Sequence, residues 1–239
     1  MTTWTTDTFF NGRVKVQQEK NGYRFAVDSV LIAWHARPRR GNRVLDLGTG
    51  CGIISLILAY RHKDIHIHAI EIQRELAELA LRNVAANNLK NRITILCQDM
   101  KQLNPPMIGG PADWVICNPP YRQPQSGRLN PDPQKAAARH EILATLEDVV
   151  VTASRMLMPS GHFITIYPAE RITDILLQMR SKGIEPKYLR SIHPRQNAEA
   201  KLILVEGVQS GRPGIKIGPP LVIYRNGDYT AEVERMFQP

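Results

Sequence analysis

Arg43-Val44-Leu45-Asp46-Leu47-Gly48-Thr49-Gly50-Cys51-Gly52 decides how the rest of the chain is read. Arg43 to Leu47 is a short apolar run of strand length, and three alternating glycines follow it. The next residues, Ile53 to Arg61, read as a helix. Glycines at a strand-to-helix turn let the backbone take positive φ and let a ligand approach it closely. The spacing is Gly-x-Gly-x-Gly, which differs from the dinucleotide pattern Gly-x-Gly-x-x-Gly.

Outward from this stretch the same alternation recurs. Ile65 to Ile70 reads as a second strand ending in Glu71, and Glu75 to Asn87 as a helix. Ile93 to Leu96 is a third strand ending near Asp99, and Ala112 to Cys117 a fourth. Glu141 to Met158 reads as an amphipathic helix ended by Pro159-Ser160-Gly161, and His162 to Ile166 as a fifth strand. Ala169 to Lys182 is a helix stopped by Gly183; Tyr188 to His193 and Lys201 to Glu206 are an antiparallel pair. Strands alternating with helices predict an α/β fold, a parallel sheet covered on both faces.

On the N-terminal side, Gly12 to Gln18 alternates like an edge strand, with Gly22 to Phe25 as its expected partner. Asp28 or Ser29 is the expected cap of a helix beginning at Val30. The sequence leaves open whether Asp28 also touches a ligand. The tail holds a strand at Leu221 to Tyr224, an Asn226-Gly227 turn and a short helix capped by Thr230. A single domain over 1–239 is expected: a lead segment 1–42, a core 43–207, and a tail 208–239 packed on it.

The 239 residues are 43% hydrophobic and 22% charged, an ordinary globular balance. No apolar run approaches the length of a membrane span, and the first residues lack the pattern of a secretory signal. Cys51, Cys97 and Cys117 lie in apolar settings at no metal or disulfide spacing, which predicts core filling and a cytoplasmic location. A net charge of +9 favours an anionic partner, nucleic acid first.

The chemistry gathers at predicted strand ends. Asn118-Pro119-Pro120-Tyr121 follows the fourth strand. Two prolines remove two backbone donors, so the Asn118 side-chain oxygen and the Pro119 carbonyl leave an acceptor-rich turn beside one aromatic ring. Such a site suits an exocyclic amino group on a planar system, with an acceptor for each hydrogen and a face for stacking. Asp46, Glu71 and Asp99 fall at the ends of three consecutive strands. An acid at the second strand end can grip ribose hydroxyls, and one at the third can accept from an adenine amino group. Singly, Asp46 reads equally as an acid ordering the glycine loop, and Glu71 and Asp99 as solvated strand ends. Together they predict a nucleoside site.

Residues 122–138 are rich in Pro, Gln, Arg and Lys without periodicity and read as a long mobile loop. Arg122, Arg128, Lys135 and Arg139 lie on or just after it; Lys187, Arg190 and Arg195 form a second basic stretch. Both are expected to meet nucleic-acid phosphates. His140-Glu141 reads either as a closure over substrate or as a helix start. His66 and His68 alternate on one strand, but no third ligand lies near in sequence, so no metal site is expected.

The glycine loop, Glu71, Asp99 and the Asn118 motif, in this order and spacing, resemble class I S-adenosylmethionine-dependent methyltransferases over roughly residues 40–207. The resemblance implies a Rossmann-like, seven-stranded, mostly parallel sheet with an antiparallel last strand. It implies that Asp46, Gly48, Thr49, Gly50 and Gly52 form the loop around the methionine and ribose of the cofactor. Glu71 then binds the ribose, with Ile72 beside it. Asp99 and Met100 take the adenine edge, and Asn118 lies near the sulfonium. Asn118, Pro119 and Tyr121 are the implied catalytic residues of a branch that methylates planar nitrogen. Further stretches, Gly22 to Leu31, Ala138 to Glu141, Glu199 to Glu206 and Leu221 to Thr230, resemble the bacterial tRNA adenine-N6 methyltransferases that act beside the anticodon of a valine tRNA. That likeness implies tRNA as partner, with Tyr121, Arg122, Arg128, Lys135 and Arg139 toward it. Alternatives are a ribosomal RNA base methyltransferase, a glutamine methyltransferase acting on a release factor, and an RNA-binding module that keeps the fold. The roughly forty residues before the glycine loop are too few for the helical domain that release-factor methyltransferases carry there.

Overall fold

The computed structural model describes residues 4–19, 27–119 and 144–238. The sheet is built on β3 (Arg43–Leu47), β4 (His66–Glu71), β5 (Ile93–Cys97), β6 (Ala112–Cys117) and β7 (Leu157–Pro168), all parallel. β9 (Leu202–Gln209) runs antiparallel between β7 and β8 (Ile184–Arg195). These seven strands lie in the order β5-β4-β3-β6-β7-β9-β8, mostly parallel and with the last two an antiparallel pair, and that mix is what the resemblance implies. The sheet then goes further. β11 (Leu221–Arg225) adds parallel to β8, β12 (Asp228–Tyr229) folds back on β11, and the two residues of β10 (Lys216–Ile217) also pair with β8. The tail thus becomes sheet, with Asn226 and Gly227 at φ 54° and 97° forming its turn.

Strand alternation divides the core. Val44 packs with α1 (Val27–His35), α2 (Ile53–Arg61) and α3 (Arg74–Ala86) on one face. Leu45 and Leu47 pack with α4 (Leu146–Met156) and α5 (Ile172–Ser181) on the other. Two apolar faces are what a buried parallel sheet requires. A short last helix, α6 (Ala231–Met236), is capped by Thr230, whose side chain accepts from the Val233 amide.

Several expectations are corrected. β2 (Val14–Glu19) pairs with β1 (Trp4–Phe9), a strand that was not expected, while its expected partner, residues 22–25, lies outside the described residues. Asp28 and Ser29 sit inside the first turn of α1, where the Ser29 amide donates to Asp28 Oδ1 at 2.9 Å. α4 starts at Leu146, because Thr145 and Asp148 form a reciprocal capping box there. Pro159-Ser160-Gly161 does not separate α4 from a later strand. β7 begins at Leu157, and the register slips from Ala112↔Leu157 to Trp114↔His162 around Ser160 at φ 64°. Cys97 is exposed at the end of edge strand β5, whereas Cys51 and Cys117 are buried.

Asn83 joins the lead hairpin to the sheet. Its side chain is fully buried; Oδ1 accepts from the Gln17 amide at 2.8 Å, and Nδ2 donates to the Gln17 and Cys51 carbonyls at 3.0 and 2.9 Å. One carboxamide therefore satisfies β2 and the glycine loop together. Asn83→Ala leaves these backbone groups unpaired and is expected to lower stability by about 2–4 kcal/mol. Chemical denaturation measures this, and a loss under about 0.5 kcal/mol contradicts the assignment.

Candidate active site

Parallel register brings the chemical residues to one edge. Leu47 stands abreast of Ile70 and of Cys117, and Glu71 abreast of Cys97. Glu71 is the last residue of its strand, Gly48 and Asn118 are the first residues beyond theirs, and Asp99 is the second beyond β5, so all four stand at the carboxyl ends of four neighbouring strands. β3 lies at the point where the chain reverses its direction of travel across the sheet, the crevice where open α/β sheets bind ligands.

The glycine loop is held from below and from the side. Asp46 is fully buried, and its Oδ2 accepts from the Thr49 and Ser55 hydroxyls, both at 2.7 Å. Oδ1 of Asp46 has no hydrogen-bond partner among the described residues. Burial pushes this carboxyl above its ordinary range, and the Ser55 and Thr49 donors oppose the shift. Glu71, 5% exposed, accepts from the Gly50 amide through Oε2 and from the Gln73 amide through Oε1, each at 2.9 Å. Each oxygen retains acceptor capacity, since a carboxylate offers about four lone-pair sites. Gly48 is exposed at φ 69°, and a Cβ built there meets nothing within 4 Å, so the backbone borders open space. Ile72, beside Glu71, is 40% exposed and leaves an apolar side chain at the same edge.

Asp99 caps a 3₁₀ turn, Met100–Gln102. Its Oδ1 accepts from the Lys101 amide at 2.9 Å, and the Lys101 Nζ stands 3.8 Å from Oδ2. The carbonyl of Met100 accepts from Thr152 and Arg155 on α4. Asn118 Nδ2 donates to Ser29 Oγ at 3.2 Å, and Pro119 is buried. Sequence reasoning missed Ser29 as a partner of this motif. The only local signal, Asp28-Ser29 before an apolar helix, reads as capping. Pro120, Tyr121, Arg122, Arg128, Lys135, Arg139, His140 and Glu141 lie outside the described residues.

A comparison with known families matches residues 25–178 to the methyltransferase small domain. The chain belongs to that family. A tRNA1(Val) (adenine(37)-N6)-methyltransferase of Porphyromonas gingivalis is 33% identical over 207 residues, 84% of this chain and 80% of the relative. The protein of that name from Aeromonas hydrophila is 27% identical over 191 residues, 80% of this chain and 78% of the relative. Among solved structures, a predicted O-methyltransferase of Agrobacterium tumefaciens superposes with a TM-score of 0.71 at 24% identity, covering 87% of this chain and 94% of that one. A geranyl diphosphate C-methyltransferase of Streptomyces coelicolor, in complex with S-adenosyl-L-homocysteine, superposes with a TM-score of 0.55 at 11% identity, covering 76% of each chain. These neighbours share the fold.

Within this methyltransferase domain and its tail, the second basic stretch divides. Arg190 is not a surface cation. It is 6% exposed, and Nη2 donates to both Glu232 oxygens at 2.8 and 3.0 Å, Nε to the Pro219 carbonyl at 2.8 Å. Its Nη1 donates to His35 Nε2 at 3.1 Å, while His35 Nδ1 donates to the Leu31 carbonyl at 2.7 Å. Burial, then the Arg190 charge, holds the His35 pKa below its ordinary value, consistent with a neutral ring. Lys187 donates to the Arg212 carbonyl at 3.0 Å, and Arg195 is exposed. Among the described residues no three His, Cys, Asp or Glu side chains gather as a metal site, and no helix is long and apolar enough to cross a membrane. Burial pushes the Cys51 thiol up to about 12, so it stays protonated and unreactive.

Burial raises the folded pKa of Glu71 above its ordinary 4.5, against the Gln73 and Gly50 amides that lower it. The folded state then holds this proton to higher pH than the unfolded state does. Its contribution to stability accordingly falls as pH rises from the unfolded value through the folded one. The stability of the native chain relative to Glu71→Gln is expected to decline over that interval and level off above it. Denaturation of both proteins from pH 4 to 8 reads the difference, and a gap independent of pH contradicts the shift.

Proposed function

We propose that this chain transfers a methyl group from S-adenosylmethionine to the N6 amino group of an adenine in the anticodon loop of a tRNA, in the cytoplasm. The observation that carries the reading is the position of Asn118-Pro119 at the end of β6, beside the glycine loop and one strand further from Glu71. The relatives named for the same reaction cover most of this chain and support the choice of adenine and of tRNA.

The residues fit the cofactor. Open space beside Gly48 admits its methionine part, Glu71 has lone pairs left for ribose hydroxyls, and exposed Ile72 offers an apolar contact for adenine. Asp99 and Met100 take the outer adenine edge, with Asp46 and Thr49 keeping the loop in shape. When bound, S-adenosylmethionine supplies a methyl group activated on a sulfonium.

The remaining work falls to positioning. Ser29 Oγ accepts from the amide nitrogen of Asn118, which restrains the carboxamide and with it the amide oxygen. That oxygen and the Pro119 carbonyl accept the two N6 hydrogens. Holding them favours a pyramidal nitrogen whose lone pair is no longer spread into the ring. Tyr121 stacks on the extruded base. Arg122, Arg128, Lys135 and Arg139 neutralise flanking phosphates. As the nitrogen takes the methyl from the sulfonium it becomes cationic and acidic and releases one proton to water, so catalysis comes from orientation and electrostatics without a strong base.

Methyl transfer from labelled S-adenosylmethionine to unmodified tRNA, ribosomal RNA and release factor, followed by nucleoside or peptide analysis, tests the reading. N6-methyladenosine in tRNA is expected; label in ribosomal RNA or protein alone refutes it. Asn118→Ala should reduce kcat about 10²–10³-fold with little change in cofactor Kd. Glu71→Ala should raise cofactor Kd about tenfold or more, through loss of hydrogen bonds to a charged group.

A further inference from the structure

The carboxyl edge of the sheet does not end at Asn118. β8 and β11 both run parallel to β6, so their last residues, Arg195 and Arg225, emerge on the edge that carries Asn118. Register places Arg195 opposite Tyr224. β11 is four strands from β6, about 19 Å across the sheet at ordinary strand spacing, and register carries Tyr224 a further five residues, about 17 Å, along the strands past the level of Asn118. A few nucleotides of extended RNA cover that span.

A cleft of about 1120 Å³ opens there, lined by both arginines, His193, Tyr224 and Tyr229. Arg195 and Arg225 are exposed, and neither makes an ion pair among the described residues. Of the acids lining the cleft, Glu232 has both oxygens engaged by Arg190, which leaves exposed Asp228 against two cations. Tyr224 is 37% exposed, and its ring stacks on Tyr229 at 5.2 Å. Tyr229 stacks on Phe237 at 5.3 Å, and Phe237 on Phe9 at 5.9 Å. The outer ring is therefore backed by a row of rings that fixes its plane. Unpaired guanidinium groups beside a rigid, accessible aromatic face are what unpaired nucleotides bind, phosphates to the cations and a base to the ring.

We propose that this cleft is a second RNA-contact surface, built by the tail. In it Arg195 and Arg225 hold backbone phosphates, and Tyr224 stacks on an unpaired base of the RNA whose adenine enters at Asn118. The inference rests on the RNA reading above and extends it to residues outside the family match at 25–178.

The test is equilibrium binding of an unmodified tRNA transcript to the full chain over a range of salt. In Arg195→Gln/Arg225→Gln, affinity should fall about tenfold at low salt, and the slope of log K against log salt should shrink by about 0.7–0.9 per lost phosphate contact. Arg195→Lys/Arg225→Lys should keep most of that slope. Tyr224→Ala should weaken binding about tenfold with the slope unchanged. S-adenosylmethionine affinity and the melting curve should match the native chain in every variant. Native affinity and slope in the Gln double variant overturn this inference alone. Failure of the native chain to bind any RNA overturns the functional reading with it.

Discussion

The hydrogen bond from the Gly50 amide to the buried Glu71 carboxylate, 2.9 Å long, ties the turn after β3 to the end of β4. Asp46 secures the same turn from inside the domain through Thr49 and Ser55. A loop rich in glycine has high conformational entropy when unfolded, and without such anchors it would not keep one shape. Both anchors are carboxylates placed where water is scarce, and burial resists their ionisation. Their charged forms are stabilised by backbone and hydroxyl donors, so the stability of the domain and the shape of the crevice at the strand ends depend on the same few bonds.

A second set of bonds sets the walls around that crevice. Asn83 satisfies both β2 and Cys51, so the lead hairpin and the glycine loop are positioned by one side chain of α3. Ser29 connects the first turn of α1 to Asn118. The lead segment is thus part of the site's support. Its contribution is mechanical: it decides where the strand-end residues stand and which atoms they present.

The surplus of positive charge is sorted by burial. Arg190, deep in the tail interface, is consumed by Glu232, Pro219 and His35 and holds α6 against β8. Arg195, five residues along the same strand, faces solvent. Net charge therefore overstates the cations available to an anionic ligand.

Much of the fold was legible because parallel α/β units are written in contiguous patterns. Apolar runs of strand length, glycine punctuation and helical spacing each report a local preference, and the observed strands fall where those runs stand. The strand-end positions of Asp46, Glu71, Asp99 and Asn118 followed from the same patterns. Boundaries were less secure: Thr145 with Asp148 shortened α4, and the bulge near Ser160 joined Pro159-Ser160-Gly161 to β7. The sequence by itself determined the α/β alternation, the glycine turn and which polar residues stand at each strand end, since each depends on neighbours within a few residues. Only the tertiary structure decided that β1 pairs with β2, that the tail extends the sheet, that Arg190 is buried, and that Ser29 meets Asn118 across 89 residues of chain. Those pairings depend on which surfaces remain after the core is packed, and no local pattern carries that information.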